Sequence, residues 1–432
     1  MALVTLKEGT PAHRAYVIGA WAIAAIVLIS VIFAYRWGFA PGSIDKAFRL
    51  TQINDVICYA VAILGLNLVI GFSGQLSLGH SAFVGLGAYT TIILVADHHW
   101  SYLATVPVSA ALCFVIGLVV GLPALRIRGL YLAVVTLSVA YVFPTLVVKY
   151  DSLTGGPNGK KPARDTGKMN PPSWMPFSNA GRLASPLWVY CILLVIATAL
   201  FLLVRNFMKS RPGRALLAVR DNQTSAAVSG INLPLYKALT FGASAAIGGI
   251  AGSMLMINRP FASDVQFGLP LAIFLVVGLV AGGAGTISGA IPGALIYVFV
   301  PYFMSAWTTD QRGMPPGIKQ VTKPLFDWLQ GRQGAGSIAG VFFGVGLLIF
   351  VFVLPGGFID GIRRLRSKIV QVIPNPSWLR ELHGSANPPS TSHSPSSGGE
   401  VTPAAPVVAA VRTRVAKPVS VKKAINLRGK TT

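Results

Sequence analysis

The sequence predicts an all-α integral membrane protein, a polytopic bundle of about ten transmembrane helices in which glycines break two of the segments. The 432-residue chain is 53% apolar and only 11% charged, whereas an average soluble domain is roughly 25% charged. Its mean hydropathy is +0.63. Uncharged windows that are long enough to cross a bilayer recur along the chain, and two of them are about twice as long as one crossing needs.

Eight uncharged windows define the predicted spans. A hydrocarbon core about 30 Å thick takes about 20 helical residues, and the windows that meet this length are residues 16–35, 56–96, 98–125, 129–148, 183–204, 238–258, 265–309 and 333–359. We expect the two longest, 56–96 and 265–309, to fold back once each, which gives about ten crossings. The first window is too long for the apolar part of a secretory signal and lacks an obvious cleavage site, so we interpret it as a retained helix.

A glycine-rich stretch, GFSGQLSLGHSAFVGLGAY, lies at the centre of the first long window. The turn is expected at residues 71–74, because paired glycines permit the positive φ angles of a tight reversal. A break at membrane depth needs protein or a water-filled cavity to satisfy its backbone groups, so it marks a candidate pathway. We expect Ser77, Ser81 and Gly85, spaced every four residues, to share one close-packing face of the following helix. The pathway candidates here are Gly71, Ser73, Gly74, Gln75, Ser77 and His80.

The second long window contains a similar break. Its residues 282–288, GGAGTIS, align with GFSGQLS at 71–77 as glycine, any residue, small residue, glycine, any residue, aliphatic residue and serine. Two interrupted apolar stretches in corresponding halves are typical of transporters built from repeats around a central route, although two glycine-rich turns can also match by chance. The pathway candidates that this break adds are Gly282, Gly283, Gly285 and Ser288.

Few titratable groups lie inside the windows. His80 has two interpretations, a neutral core ring that hydrogen-bonds to a serine or a backbone carbonyl, or a contact for substrate or for a proton. We expect Asn54 and Asp55 to lie at the membrane interface. Proton- and sodium-driven carriers retain intramembrane carboxylates, and because almost none occur here the energy source is expected outside this chain. The three cysteines have no motif spacing, so neither a metal site nor a disulfide is predicted.

The distribution of Lys and Arg favours an N-terminus and a C-terminus in the cytoplasm. With ten spans, more than half of the 36 basic residues fall on the cytoplasmic side, but the basic loop 149–182 falls outside and opposes this orientation. In the largest internal loop, residues 206–237, the helix-forming and capping residues predict a short helix at 215–219 and a second at 224–229 that ends at Gly230. By charge alone, this loop could equally lie against anionic lipid.

Five motifs in order resemble the permease subunits of high-affinity branched-chain amino-acid ABC importers, and most of all the longer of their two permease types. They are GFSGQLSLGHSAFVGLGAY at 71–89, RIRGLYLAVVTLSVAYVF at 126–143, TGGPNG at 154–159, GRALLAVRDNQTSAAVSGIN at 213–232 and GGAGTISGAIPGA at 282–294. The resemblance runs from about residue 50 to residue 360. Relatives that import urea or short amides share these motifs, so the resemblance leaves the substrate open.

The resemblance implies a subunit of the cytoplasmic (inner) membrane that has no cofactor of its own. It implies pairing with a second permease, two cytoplasmic ATPases that bind ATP and Mg, and an external solute-binding protein. In that family the loop matching 213–232 docks on the ATPase, and the usual leading glutamate of the coupling motif is missing here. The residues that match the coupling pattern are Gly213, Arg214, Ala215, Ala218, Arg220, Asp221, Ala226, Ala227 and Gly230.

These interpretations divide the chain into a cytoplasmic N-terminus (1–15), a transmembrane permease domain (16–359), a basic juxtamembrane segment (360–383) and a tail (384–432). The tail is rich in Pro and Ser and then basic, and its composition predicts disorder. Its basic end has no interleaved aromatic residues, which favours attraction to an anionic leaflet over nucleic-acid binding. The letters AINLRGKT at 424–431 match a relaxed phosphate-binding pattern, but we expect no nucleotide site there because the required strand and helix are missing.

Two other functions are compatible with parts of the sequence. A self-contained channel or facilitator would also lack carboxylates, but it would need no loop for docking an ATPase. A membrane-embedded enzyme is disfavoured: Asp97, His98 and His99 are adjacent, neighbouring helical residues diverge by about 100°, and no second cluster completes a coordination sphere.

Overall fold

The computed structural model describes residues 4–7, 46–126, 129–162, 169–175, 184–309, 357–361 and 370–373. All of them belong to one compact unit, Met1–Pro374. The predicted first span at 16–35, nearly all of the last window at 333–359 and the tail at 384–432 lie outside the described residues.

Helices make up most of the described chain. The principal helices are α1 (Lys46–Asn67), α2 (His80–His98), α3 (Tyr102–Arg126), α4 (Leu130–Lys149), α5 (Ala184–Lys209), α6 (Arg211–Asp221), α7 (Gln223–Val228), α8 (Leu233–Asn258), α9 (Leu269–Gly282) and α10 (Ala290–Thr309). A π turn, Leu68–Phe72, extends α1. Outside the helices, strand β1 (Val4–Lys7) pairs in parallel with strand β2 (Val370–Ile373).

Seven helices among the described residues are long and apolar enough to cross a membrane. They are α1 with its π turn, α2, α3, α4, α5, α8, and α9 with the turn before it. Helix α10 adds a shorter apolar stretch, Ile287–Tyr302. These seven and the shorter one account for eight of the predicted crossings, and the predicted all-α polytopic fold is confirmed.

Both long windows fold back as expected. Helix α1 and its π turn end at Phe72, the chain reverses, and α2 begins at His80. Helix α9 ends at Gly282, and α10 begins at Ala290 after a second reversal. Both reversals were predictable from bilayer thickness, because a single helix as long as either window would exceed the hydrocarbon core.

One detail of the first long window differs from the expectation. Ser77 lies in the connection before α2, so it does not share a helix face with Ser81 and Gly85. Helix α1 begins at Lys46, ahead of the uncharged window, and Asn54 and Asp55 within it are buried by protein. An uncharged window ends wherever a charge occurs, yet a buried carboxylate can remain inside a helix when other residues hydrogen-bond it.

The partners of Asp55 come from the end of α8. The side-chain amide of Asn258 donates to Asp55 over 2.7 Å, and Arg259 forms an ion pair with the same carboxylate. Near this end of the bundle, Lys160 from the outer loop pairs with Asp97 at 2.6 Å. Part of the basic charge that opposed the predicted orientation is therefore neutralised by an acidic partner.

Helix α8 lies at the centre of the described bundle, where it packs against α1, α2 and α3. Its glycines allow backbone contact with α2. A Cβ atom added to Gly87 would lie 2.1 Å from the carbonyl oxygen of Gly249, and one added to Gly252 would lie 2.0 Å from the carbonyl oxygen of Val84. Small residues at a helix crossing provide the close approach on which association in lipid depends. The close contact of α2 with α8 therefore passes through Gly87, whereas Gly85 packs against Phe143.

Four buried hydroxyl groups join α2, α3 and α8. The Thr91 hydroxyl donates to Ser253 over 2.8 Å and lies 3.2 Å from both Ser109 and Thr105. All four side chains are 0% exposed. We call this group the hydroxyl cluster, and it fixes the three helices to one another.

Candidate functional site

The first break, residues 71–79, begins within the last two residues of the π turn. The carbonyl oxygen of Val69 accepts hydrogen bonds from the Ser73 hydroxyl at 2.8 Å and from the backbone N–H of Gln75 at 3.0 Å. The side-chain amide of Gln75 donates to the Ser73 hydroxyl over 2.8 Å. Gly74 has a φ of 69°, a backbone conformation that glycine adopts without strain. Ser73 and Gln75 thus stabilise the reversal through contacts with each other and with the π turn.

Helix α4 covers the end of the first break. The Thr136 hydroxyl accepts a hydrogen bond from the backbone N–H of Leu78 at 2.9 Å. A Cβ atom added to Gly79 would lie 2.5 Å from the carbonyl oxygen of Thr136. The backbone of the break is therefore held by protein groups on this side, as a break at membrane depth requires.

The second break, residues 283–289, is compact. Gly283 and Gly285 have φ angles of 115° and 76°, and the Thr286 hydroxyl donates to the carbonyl oxygen of Gly283 over 2.7 Å. A Cβ atom added to Gly282 would lie 1.9 Å from the carbonyl oxygen of Gly289, so α9 and α10 touch through their backbones. Ser288 is exposed.

The two breaks contact each other through Asn67, the last residue of α1. Its side-chain amide donates to the carbonyl oxygen of Thr286 at 2.8 Å, and its side-chain oxygen accepts from the backbone N–H of Gly285 at 2.8 Å. Asn67 is 0% exposed. A Cβ atom added to Gly71 would lie 2.5 Å from the backbone nitrogen of Gly285. The aligned glycines of the two windows therefore lie against one another in space.

Arg220, at the end of α6, joins the same group. Its Nη1 donates to the carbonyl oxygen of Gly71 over 3.0 Å, and its Nε pairs with Asp221 at 3.1 Å. A Cβ atom added to Gly285 would lie 3.3 Å from Nη1. Hydrogen bonds to charged groups contribute roughly 1.5–3 kcal/mol, and solvent weakens this one because the Arg220 side chain is 39% exposed.

The loop between α5 and α8 contains the two predicted short helices, α6 and α7. Pro212 lies in the first turn of α6. The Asn222 side chain caps α7 by accepting a hydrogen bond from the Ser225 N–H at 3.0 Å, and Gly230 follows α7 with a φ of 82°. The secondary structure predicted for this loop is confirmed.

The residues that match the coupling pattern divide between two faces of this loop. Gly213 and Ala226 are buried, and Ala215 is half-buried. Arg220 is directed to the first break as described. The members that are exposed at the surface are Arg214, Ala218, Asp221, Ala227 and Gly230. Val228, which the sequence analysis did not select, is 86% exposed. The loop therefore has one face toward the bundle and one face free to contact another molecule.

His80 lies apart from the contact between the breaks. Its ring fits between Gly65 of α1 and Gly248 of α8, since a Cβ atom on either glycine would come within 3.1 Å of the ring. The His80 side chain is buried, its Nε2 has no hydrogen-bond partner among the described residues, and the backbone of Ala62 is within hydrogen-bonding reach of the ring. Gln75 Oε1 is likewise buried without a partner in the described part of the chain.

Sequence reasoning missed Asn67 and Thr286, and it did not connect Arg220 with the breaks. A signal for Asn67 is present, because it is an amide in an otherwise apolar stretch, four residues before Gly71. Across the described ranges, no group of three or more His, Cys, Asp or Glu side chains is arranged to hold a metal ion.

The helical bundle, with seven helices long enough to cross a membrane among the described residues, is that of a multi-pass membrane protein. The chain belongs to the family described as branched-chain amino acid transport system / permease component, whose model matches residues 48–331. That description names the family as one of permease components of transport systems.

Curated relatives include both permease types of that system. The chain is 29% identical over 289 residues to the high-affinity branched-chain amino acid transport system permease protein LivM of Escherichia coli, and 30% identical over 286 residues to LivM of Salmonella typhimurium. Each match covers 62% of this chain and 65% of the relative. It is 25% identical to LivH of Salmonella typhimurium over 272 residues, which cover 59% of this chain and 83% of that relative. The chain thus spans 65% of the length of the LivM relatives. No solved structure matches.

Proposed function

We propose that this chain is the membrane-spanning permease subunit of an ATP-binding-cassette importer that moves a small amino acid of the branched-chain class across the cytoplasmic membrane. The α6–α7 loop is the observation that carries the proposal. It carries two short helices at one end of the bundle, and its exposed face offers small residues, Ala218, Ala227 and Gly230, beside the charges of Arg214 and Asp221. Small residues let another protein approach the helix backbone closely, and flanking charges fix its orientation.

The proposed assembly contains a second permease, two cytoplasmic ATPases and an external solute-binding protein. The chain is similar to both LivM and LivH relatives, which supports pairing with a second permease of like architecture. ATP and Mg bind to the ATPase subunits, and this chain has no cofactor or ATPase site of its own.

We place both termini and the α6–α7 loop in the cytoplasm. Strand β1 near the N-terminus pairs with β2 near the C-terminal side of the permease domain, so these two segments share one side of the membrane. Arg220 contacts Gly71, so the loop and the breaks lie at one end of the bundle. The excess of Lys and Arg assigned to the inner side favours this orientation.

The mechanism follows from these positions. ATP-driven closure of the two ATPases displaces α6 and α7, and the helices above them rearrange. The glycine breaks provide the flexible points at which the transmembrane helices change direction, and the route beside them opens alternately to each side. The permease contributes the route and its movement, while the energy comes from ATP hydrolysis on the partner subunits.

Bulky substitutions on the exposed face of the loop test the docking assignment. We expect Ala227→Trp to abolish co-purification with the ATPases and to lower ATP-dependent uptake at least about tenfold, because the indole ring would keep the ATPase from close contact with the loop and a loss of about 1.4 kcal/mol is tenfold in affinity. Ala199→Trp, at an exposed position on α5, is the matched control and should retain assembly and membrane insertion. Full uptake by Ala227→Trp would contradict the proposal.

Competition between radiolabelled solutes tests the substrate. Uptake of labelled leucine into proteoliposomes holding the full assembly should require ATP and should be inhibited by isoleucine and valine, but not by urea or acetamide. ATP-dependent urea uptake would identify an amide importer instead. Movement of solute down its concentration gradient through the chain alone, without ATPases, would identify a facilitator.

A further inference from the structure

The backbone of each break is hydrogen-bonded by a side chain from another element. Gly71 lies in the last turn of the π helix, where carbonyl groups run out of intrahelical donors, and Arg220 of α6 supplies a donor to its carbonyl oxygen. The backbone of Gly285 and Thr286 in the second break is in turn bonded on both its N–H and its C=O side by Asn67. The order of contact is therefore α6, first break, second break.

These contacts are short and leave little free space. Asn67 is fully buried, and any side chain on Gly71 would overlap it, since an added Cβ would lie 1.9 Å from Asn67 Oδ1. The Arg220 side chain also packs on Gly74, where an added Cβ would lie 2.9 Å from its Cγ. Packed groups of this kind shift together between discrete arrangements and do not deform independently.

We infer that Arg220 and Asn67 are positioning residues that couple the movement of α6 to both glycine breaks at once. Arg220 transmits displacement of the loop to the first break through the Gly71 carbonyl, and Asn67 transmits it to the second break through the Gly285 N–H and the Thr286 carbonyl. The mechanical consequence rests on the proposed function, because it requires an ATPase to move α6. The hydrogen-bonded link itself requires no partner and can be tested in the isolated chain.

Hydrogen exchange of the purified full chain in detergent tests the link. We expect Asn67→Ala to raise amide exchange of residues 283–289 by about tenfold, since the Gly285 N–H loses its acceptor. Arg220→Ala should raise exchange in residues 71–79 and also in 283–289. Arg211→Ala, which removes the same charge from an exposed position on α6, should change neither segment. An Arg220→Ala effect that is absent from 283–289 would overturn the inference.

Transport stoichiometry tests the consequence in the assembled importer. Arg220→Ala should still co-purify with the ATPases and hydrolyse ATP, but should move about tenfold fewer solute molecules per ATP. Arg220→Lys keeps a charged donor and should recover part of this loss, which a folding defect would not explain. A wild-type ratio of solute moved to ATP hydrolysed in Arg220→Ala would overturn the inference. Loss of co-purification with the ATPases would also overturn it, because Arg220 would then be a docking residue. If the unaltered chain bound no ATPase, the proposed function would fail, while the exchange experiment would still decide the link.

Discussion

Thr90 and Thr91 follow one another on α2, but their hydroxyl groups have different partners. The Thr90 hydroxyl donates to the carbonyl oxygen of Leu86, one turn earlier in the same helix. The Thr91 hydroxyl donates to Ser253 of α8 and lies next to Ser109 of α3. Thr91 therefore helps to join three helices, whereas this contact of Thr90 stays within one.

Replacing each threonine with valine separates these roles. We expect Thr91→Val to lower the free energy of unfolding by about 1–2 kcal/mol, because interhelical hydrogen bonds in membranes contribute roughly 0.6 kcal/mol each and Thr91 takes part in three. Thr90→Val is the control and should cost less. Thermal unfolding in detergent measures both, and equal shifts would contradict the role given to the hydroxyl cluster.

The residues of the breaks could be predicted from the sequence, but their partners could not. Paired glycines in an apolar run indicate a reversal, and Gly74, Gly283 and Gly285 do have positive φ angles. Asn67 and Arg220 act on backbone groups that are 218 and 149 positions away in the chain. No local pattern encodes such contacts, because they depend on how the folded helices are placed.

At the scale of helices, comparing the length of each uncharged window with the bilayer thickness was sufficient to predict both reversals. The residues that favour helix caps and turns were sufficient to predict α6 and α7. The helix starts were less accurate. Helix α1 begins at Lys46, ahead of the uncharged window, because Asn258 and Arg259 compensate the charge of Asp55. Compensation of this kind depends on a distant helix end and is invisible to a window count.

The crossing of α2 and α8 yields a prediction about helix packing. We expect Gly87→Ala to destabilise the protein by about 1–3 kcal/mol, the typical cost of overpacking, because its new methyl group would collide with the backbone of Gly249. Gly268→Ala is the control, since its added Cβ would have no neighbour closer than 3.6 Å.

Thermal unfolding in detergent, with size-exclusion profiles to detect aggregation, compares the two variants. A loss of stability confined to Gly87→Ala supports direct backbone contact between α2 and α8. An unfolding temperature of Gly87→Ala equal to that of the wild type would show that α2 and α8 can move apart to admit the methyl group without a loss of stability.

At the scale of the whole molecule, the strand pair constrains the topology. Strands β1 and β2 lie side by side, which supports the prediction that an even number of crossings separates them. The predicted ten crossings satisfy this condition. The contacts of Arg220 and Lys160 lie at opposite ends of the described bundle, so the α6–α7 loop and the loop that contains Lys160 are at opposite ends.

Cysteine labelling in intact cells tests this arrangement. We expect a membrane-impermeant maleimide to label Trp174→Cys from outside, because that position is 74% exposed on the outer loop. Val228→Cys, at the last residue of α7 and 86% exposed, should react only after the membrane is permeabilised. Cys58 and Cys113 are buried, so Cys191→Ser provides a suitable background. Labelling of Val228→Cys in intact cells would reverse the orientation.

The contact between Arg220 and Gly71 also limits how such proteins can be recombined. Consider a chimera with the cytoplasmic loop of one permease and the membrane helices of another. Its arginine and its glycine turn then come from two different proteins. If the turn differs in shape, the grafted arginine loses its acceptor and the recipient loses a backbone partner. Functional exchange of loops should therefore succeed only when the arginine and the turn are transplanted together.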